Sequence, residues 1–201
     1  MILDKPTKKI LMSALRHVEG DPTISLLAES LKMTKVGVWK TLKKLESENM
    51  IILNQLGNKK NSTYTIKINW NNPLIERTMT LALEQEASEQ RRWLVNFADL
   101  KDSTDFLILY GSVINSYQKA KDIDIINVIS KRGGFIELDE KIRNIQKLQL
   151  KKIHAVNFSV DELKREIKKP NIAFINAIKG GIVLYGQDKF VKFVRELKDG
   201  Y

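Results

Sequence analysis

The stretch Phe106-Leu-Ile-Leu-Tyr-Gly-Ser112, followed after nine residues by Asp122-Ile-Asp-Ile-Ile-Asn-Val-Ile129, carries the clearest structural information in the chain. Both runs are short and aliphatic, and Gly, Ser or charged residues bound them, which is typical of buried strands. Residues i and i+2 of a strand point to the same face. We therefore expect Asp122 and Asp124 to project together beside the Gly-Ser turn.

This pair of carboxylates predicts a site for a divalent cation. Two like charges side by side cost free energy unless a cation lies between them. Two carboxylate oxygens with room for substrate phosphates are a common way of holding Mg²⁺. The backbone N–H groups of Gly111 and Ser112 and the Ser112 hydroxyl suit a phosphate group. The sequence thus indicates that Asp122 and Asp124 are metal ligands beside a phosphate-binding turn.

Gly111-Ser112, a spacer of nine residues and Asp122-x-Asp124 together resemble the signature of the DNA polymerase β-type nucleotidyltransferases, in the small prokaryotic form called minimal nucleotidyltransferase. The resemblance covers roughly residues 103–198. It implies Mg²⁺ or Mn²⁺ at Asp122 and Asp124 and a nucleoside triphosphate (NTP) at Gly111 and Ser112. It also implies transfer of a nucleoside monophosphate (NMP) to a protein or nucleic-acid acceptor, often a toxin partner.

The chain departs from this family pattern near the expected active site. Asn115 and Ser116 stand where the family usually has Arg-Gly, and Lys121 replaces the Ser before the first Asp. The strand expected to supply a third carboxylate reads Ile153-His-Ala-Val-Asn157, with His154 at the place of the acid. Neutral imidazole is a poor ligand for Mg²⁺. Three alternatives follow: one weakly held metal, His154 as a catalytic base, or nucleotide binding without turnover.

Composition limits the function classes. The 201 residues carry a net charge of +10, which favours an anionic partner, nucleic acid first. Residues 1–70 hold 12 Lys/Arg against 6 Asp/Glu, so the excess is densest there. The absence of cysteine excludes disulfides, Cys-based zinc sites and thiol catalysis. No apolar run approaches the ~20 residues of a membrane span, and no export signal is evident, so we expect no membrane partner and a cytoplasmic protein.

Residues 1–70 predict three helices followed by a hairpin. The first helix covers Lys5 to His17, and Thr23 and Thr34 are expected to cap the second and third. The hairpin pairs a strand from Met50 with a strand from Thr63 to Asn69. This order, with an apolar Val38-x-x-x-Leu42-x-x-Leu45 stripe on the third helix, is similar to the winged helix-turn-helix family.

The resemblance implies binding to double-stranded DNA. A recognition helix needs an exposed cationic face for phosphates and a few side chains for base edges. We expect this face to lie opposite the apolar stripe of the third helix, with further cations at the hairpin tip. The candidate DNA-binding residues are Lys35, Trp39, Lys40, Lys43, Lys59 and Lys60.

Residues 71–102 predict a helical connector without a flexible linker. Periodicity indicates helices at Leu74–Ala87 and Glu89–Leu100. The expected apolar anchors are Leu81, Leu83, Trp93, Leu94 and Phe97. Such a connector would dock two domains or dimerise two chains, so a homodimer is a possible assembly.

The predicted fold class is α+β, with a winged helix-turn-helix domain at 1–70, the connector at 71–102 and a nucleotidyltransferase-like domain at 103–201. After the two opening strands we expect helices at Leu138–Leu150, Val160–Lys168 and Asp188–Leu197, and a third strand at Ile153–Phe158. The family resemblance implies a small mixed sheet with helices on one face.

Three functions fit these observations. The first is a Mg²⁺-dependent nucleotidyltransferase attached to a DNA-binding domain. The second is a transcriptional regulator of weak or no catalytic activity, which binds operator DNA and senses nucleotide. The third is an antitoxin that pairs with a small toxin protein, as the family resemblance implies.

Overall fold

The computed structural model describes residues 3–57, 63–130, 134–169 and 171–199, and it confirms the α+β class. The helices in those ranges are α1 (Lys5–Arg16), α2 (Ile24–Ser30), α3 (Lys35–Ser47), α4 (Ile75–Ser88), α5 (Arg91–Asn96), α6 (Gly134–Gln146), α7 (Val160–Lys168), α8 (Ile172–Gly180) and α9 (Gln187–Asp199). The strands are β1 (Ile51–Leu56), β2 (Thr63–Ile68), β3 (Phe106–Tyr110), β4 (Asp122–Ile129), β5 (Lys152–Ser159) and β6 (Ile182–Tyr185). Two 3₁₀ segments cover Ala98–Ser103 and Ser112–Ile114.

Two compact units make up the chain. Unit 1 comprises Met1–Ala82 with Val194–Tyr201, and unit 2 comprises Leu83–Phe193. Each unit has its own buried apolar side chains. The domain limits expected from the sequence stay predictions.

The second and third helices of unit 1 begin where their predicted capping residues indicate. The Thr23 hydroxyl accepts a hydrogen bond from the Leu26 N–H at 3.2 Å, and the Thr34 hydroxyl accepts one from the Gly37 N–H at 3.1 Å. These bonds satisfy N–H groups that have no partner within the helix. The predicted apolar stripe of α3 is fully buried, and it consists of Val38, Leu42 and Leu45.

Strands β1 and β2 pair antiparallel, from Ile51 opposite Ile68 to Leu56 opposite Thr63. Ile66 and Ile68 are buried, as the alternating pattern predicts for one face of a half-buried strand. The Ile66 N–H also donates to the Pro22 carbonyl at 2.9 Å, which ties the segment before α2 to the hairpin. The tip of the predicted hairpin, residues 57–62 between its two strands, lies largely outside the described residues.

Helix α4 corrects one predicted anchor. Leu81 is 42% exposed, whereas Ile75, Met79 and Ala82 are fully buried. At 100° per residue, Leu81 lies on the side of the helix away from these three. A leucine on an amphipathic helix is therefore exposed when it lies outside the apolar face, even though its neighbours in sequence are buried.

The predicted helix Glu89–Leu100 divides into α5 and a 3₁₀ segment. The Phe97 N–H still bonds to the Trp93 carbonyl at 3.0 Å, but the Leu100 N–H bonds to the Phe97 carbonyl three residues back, also at 3.0 Å. The tighter winding keeps all three apolar side chains in one buried cluster.

A four-stranded mixed sheet forms the centre of unit 2, in the order β5-β4-β3-β6. Strand β3 is antiparallel to both β4 and β6, and β4 is parallel to β5. The observed bounds of β3 and β4 coincide with the prediction. The predicted mixed sheet is therefore confirmed.

Helices cover both faces of this sheet, so the expectation of helices on one face is wrong. Leu107 and Leu109 of β3 pack in the cluster that contains Leu138 of α6. The adjacent Phe106 instead contacts the rings of Phe190 and Phe193 in α9, at centroid distances of 5.4 and 5.3 Å. Since successive strand residues point to opposite faces, α6 and α9 lie on opposite sides. The central strands are apolar on both faces, and both must be covered.

Helix α6 starts and ends four residues earlier than the predicted Leu138–Leu150. Leu148 and Leu150 are exposed, so neither continues the apolar face of the helix. Instead the Gln146 side-chain amide donates to the carbonyls of Gln149 and Lys151, and its Oε1 accepts from the Ile153 N–H at 2.7 Å. This one side chain closes the turn that leads into β5.

Candidate functional site

The register of the sheet in unit 2 brings three side chains together. Asp124 lies opposite Tyr110 in β3 and opposite His154 in β5. Directly paired residues project from the same face of a sheet. Asp122 stands two residues before Asp124 and projects from that face as well. The row therefore places Tyr110, Asp124 and His154 side by side, with Asp122 at the edge.

The two carboxylates and the imidazole converge on one point. His154 Nδ1 lies 3.3 Å from Asp122 Oδ2 and 3.6 Å from Asp124 Oδ1. Within the described ranges, these three residues are the group of acidic and histidine side chains whose ligand atoms all lie within 4.8 Å of one another. The side chains are 22–45% exposed, so a solvent ion can reach them. The expectation that the two Asp side chains project together matches this geometry.

The Gly111–Ser112 turn lies directly against the Asp124 carboxylate. Gly111 has φ +81°, and a Cβ at this residue would stand 2.5 Å from Asp124 Oδ2. Ser112 is exposed and begins a 3₁₀ segment, with the Asn115 and Ser116 N–H groups bonded to the Ser112 carbonyl at 3.1 and 3.2 Å. The turn thus presents a serine beside the acidic pair, and a glycine makes the approach possible.

The raised pKa values of two side chains indicate that a bound cation would stabilise the negative charge at this site. Burial and the neighbouring Asp122 carboxylate raise the pKa of Asp124, although His154 opposes this shift. Burial and the charges of Asp124 and Asp122 also raise the pKa of the Tyr110 hydroxyl. Both shifts report unfavourable negative charge. A bound divalent cation would relieve it.

Two cations and an aromatic ring hold the segment after Ser112. The Arg92 guanidinium carbon lies 3.5 Å from the centre of the Tyr117 ring, and Lys151 Nζ lies 5.0 Å from that centre. Lys151 also donates a hydrogen bond to the Ala120 carbonyl. A cavity of about 340 Å³ lies beside this segment, lined in part by Arg92, Trp93 and Tyr117. These contacts fix the 113–120 connection between the turn and β4.

Sequence reasoning missed Tyr110, Arg92 and Tyr117. Tyr110 is the residue before the Gly-Ser turn, and strand alternation alone would have placed it on the Asp124 face once β3 was paired with β4. The Arg92–Tyr117 contact joins residues 25 positions apart, and no local pattern indicates it.

The candidate DNA-binding residues on α3 differ in their exposure and in the side-chain contacts that they make. Lys40 is exposed on the side of α3 opposite the buried stripe. Lys35 is also exposed, in the first turn of the helix, but at 100° per residue it lies on the same side as the stripe. Lys43 Nζ lies 2.7 Å from Glu46 Oε2 and 5.1 Å from the centre of the Trp39 ring. Trp39 is half-buried and packs on Tyr64 of β2, with ring centroids 5.1 Å apart. Lys59 and Lys60 lie outside the described residues.

Comparisons of the chain with protein-family models, curated proteins and solved structures found no match in any of the three. No helix in the described part of the chain has the length and apolar character needed to cross a membrane.

Proposed function

We propose that unit 2 is a divalent-metal-dependent nucleotidyltransferase of the polymerase β type, which transfers NMP from an NTP to a protein or nucleic-acid acceptor. The observation that carries this proposal is the convergence of Asp122 and Asp124 beside the Gly111–Ser112 turn. A carboxylate pair and a phosphate-binding turn are what nucleotidyl transfer requires of a protein.

The residues present fit a divalent cation. Asp122 and Asp124 offer carboxylate oxygens, the ligands that Mg²⁺ and Mn²⁺ favour, and burial together with the Asp122 charge raises the pKa of Asp124. A cation bound there would neutralise phosphate charge and polarise the α-phosphoryl group.

The chain's own groups would hold the rest of the substrate. The Ser112 hydroxyl and the N–H groups of the turn would donate hydrogen bonds to the phosphates. An acceptor hydroxyl oxygen would then bond to the α-phosphorus. At the same time, the bond between the α-phosphorus and the oxygen that bridges it to the β-phosphate breaks. Pyrophosphate leaves, and the proton of the acceptor hydroxyl passes to water.

A labelling experiment tests the transfer. The protein is incubated with Mg²⁺ or Mn²⁺ and an NTP labelled at either the α- or the γ-phosphate, in the presence of cell protein and RNA as acceptors. We expect label in macromolecules from the α-labelled NTP alone, and none with Asp122→Asn or Asp124→Asn. Asp99→Asn, an exposed carboxylate in the same unit, is the matched control. Equal labelling by wild type and the Asp122 and Asp124 variants would contradict the proposal.

A second proposal concerns unit 1, which we infer to be a winged helix-turn-helix domain that binds double-stranded DNA. The supporting observation is the position of Lys40, exposed on α3 opposite its buried stripe, with a second exposed cation, Lys35, at the start of the same helix. Cations in this arrangement bind phosphates without sequence preference and orient the helix on the duplex.

The alternative for unit 2 is a regulator that binds nucleotide, or a toxin partner as an antitoxin, without turnover. The observation that favours it is the imidazole of His154, where the family resemblance implies a third carboxylate. Nucleotide binding without label transfer would support this alternative over the enzyme.

A further inference from the structure

We infer that His154 is a metal ligand and that the site selects a transition-metal dication, Mn²⁺, Co²⁺ or Zn²⁺, over Mg²⁺. This inference rests on the metal site of the proposed function and goes beyond it, because the expected metal for a carboxylate site of this type is Mg²⁺. Three features of the described residues carry it: the orientation of the imidazole, the spacing of the three ligand atoms, and the chemistry of the donor set.

The imidazole faces the carboxylates through Nδ1. This nitrogen lies 3.3 Å from an oxygen of Asp122 and 3.6 Å from an oxygen of Asp124. Because the two distances are similar, Nδ1 and the two carboxylate oxygens form a triangle around the point where a cation would bind. In this position Nδ1 can join both oxygens on a shared cation, or it can donate a hydrogen bond to one of them.

The spacing of the ligand atoms matches small-ion coordination. For metal–ligand bonds of about 2.1 Å, neighbouring ligand atoms stand about 3.4 Å apart in a tetrahedral site and about 3.0 Å apart in an octahedral one. The two nitrogen–oxygen separations lie close to the tetrahedral value. Mg²⁺ demands near-ideal octahedral geometry with oxygen ligands, while Zn²⁺ and Co²⁺ accept tetrahedral sites.

The chemistry of the three ligands, one imidazole and two carboxylates, also favours a transition metal over Mg²⁺. An imidazole nitrogen suits Zn²⁺, Co²⁺ and other first-row dications, and two carboxylates accept the same ions. Mg²⁺ gains little from the nitrogen and would be held by Asp122 and Asp124 alone. His154 therefore raises affinity for transition metals without raising affinity for Mg²⁺.

The competing role for His154 is a catalytic base. In that role Nδ1 would donate a hydrogen bond to a carboxylate, and Nε2 would accept the acceptor proton. This role predicts no effect of His154 on metal preference, so a metal-binding measurement separates the two roles.

The test compares metal affinities of the full chain without nucleotide. Dissociation constants for Mn²⁺, Co²⁺ and Mg²⁺ are measured by calorimetry for wild type, His154→Ala and His17→Ala, since His17 is the other histidine in the chain. Alanine removes the imidazole without adding an oxygen ligand, so in His154→Ala we expect the ratio of Mg²⁺ to Co²⁺ dissociation constants to fall by about tenfold or more relative to wild type. His17→Ala should keep the wild-type ratio. An unchanged ratio in His154→Ala overturns the inference.

A spectroscopic measurement on wild type keeps the inference falsifiable even if His154→Ala does not fold. Electron spin echo of the Mn²⁺-loaded protein should show coupling to an imidazole nitrogen, and its absence overturns the inference. Neither readout requires turnover. Loss of NMP transfer with intact nitrogen coupling would therefore contradict the proposed enzyme and leave the metal assignment standing.

Discussion

Gly111 and Asp124 are in such close contact that no side chain fits between them. A Cβ on Gly111 would stand 2.5 Å from Asp124 Oδ2, inside any van der Waals separation. Gly111 also has φ +81° and ψ −165°, a conformation that glycine alone adopts readily. The turn that we propose binds phosphate and the carboxylate that we propose binds metal thus depend on one glycine.

Gly111→Ala should damage the fold and the site together. We expect the strained conformation to lower the free energy of unfolding by about 1–3 kcal/mol, and the new Cβ to push the Asp124 carboxylate away from Asp122. Urea unfolding and Mn²⁺ calorimetry measure the two effects. Gly20→Ala is the matched control, because Gly20 has φ +152° and open space around its missing Cβ. Gly20→Ala should lose stability and keep Mn²⁺ affinity. Unchanged Mn²⁺ affinity in Gly111→Ala would contradict the geometry.

Tyr117 should matter to nucleotide affinity. Its ring contacts Arg92 and Lys151, and these contacts hold the 113–120 segment that follows the proposed phosphate-binding turn. Tyr117→Leu removes the cation–π contacts, worth about 0.5–1 kcal/mol at an exposed site. We expect a two- to fivefold loss of NTP affinity, on the scale of about 0.5–1 kcal/mol, with unchanged Mn²⁺ affinity. Tyr117→Phe keeps the ring and should restore the wild-type value. Equal NTP affinity in Tyr117→Leu and Tyr117→Phe would show that the contacts do not order the turn.

Binding of unit 1 to duplex DNA should depend on salt and on Lys40. We expect the affinity of the full chain for a 30-base-pair duplex to fall steeply between low and physiological salt. Lys40→Ala should reduce the slope of log K against log salt by about 0.9, one phosphate contact. Lys9→Ala removes the same charge from an exposed position on α1 and should leave the slope unchanged. Salt-insensitive binding, or equal slopes for the Lys40 and Lys9 variants, would contradict DNA binding through α3.

Acid should weaken unit 1 through Asp4. The Asp4 carboxylate accepts hydrogen bonds from Lys44 Nζ and the Thr7 N–H, each at 2.8 Å, and these lower its pKa from 3.8 to about 2. A depressed folded-state pKa stabilises the protein above pH 3.8, and this contribution disappears as the pH falls toward 2. We expect a higher melting temperature for wild type than for Asp4→Asn at pH 6, and equal values near pH 2. A difference that stays constant down to pH 2 would contradict the assignment.

Local pattern was sufficient for the elements whose sequence carries a complete signal. Strands β3 and β4 follow from apolar runs with Gly and Asp at their limits. Helix α7 begins after Ser159, whose side chain pairs reciprocally with Glu162 in a capping box. The convergence of Asp122 and Asp124 follows from the two-residue period of a strand. These features depend on neighbours in sequence, so they could be predicted.

Features set by distant contacts could not be predicted from local pattern. The burial of Met79 in place of Leu81 depends on which side of α4 meets the core. The covering of both sheet faces depends on where α9 packs after the chain has returned to β6. The alignment of His154 with Asp124 needs the parallel pairing of β4 with β5, and the family resemblance alone indicated it before the register was known.

Above all, we propose that Asp122, Asp124 and the Gly111–Ser112 turn form one metal-dependent nucleotide site. The most direct measurement is binding of an α,β-methylene NTP analogue by calorimetry, with Mn²⁺ and with EDTA. We predict that Mn²⁺ tightens binding by about tenfold or more in wild type and in Asp99→Asn, and has no effect in Asp124→Asn. Equal affinity for the analogue in all three proteins, with or without Mn²⁺, would contradict the claim.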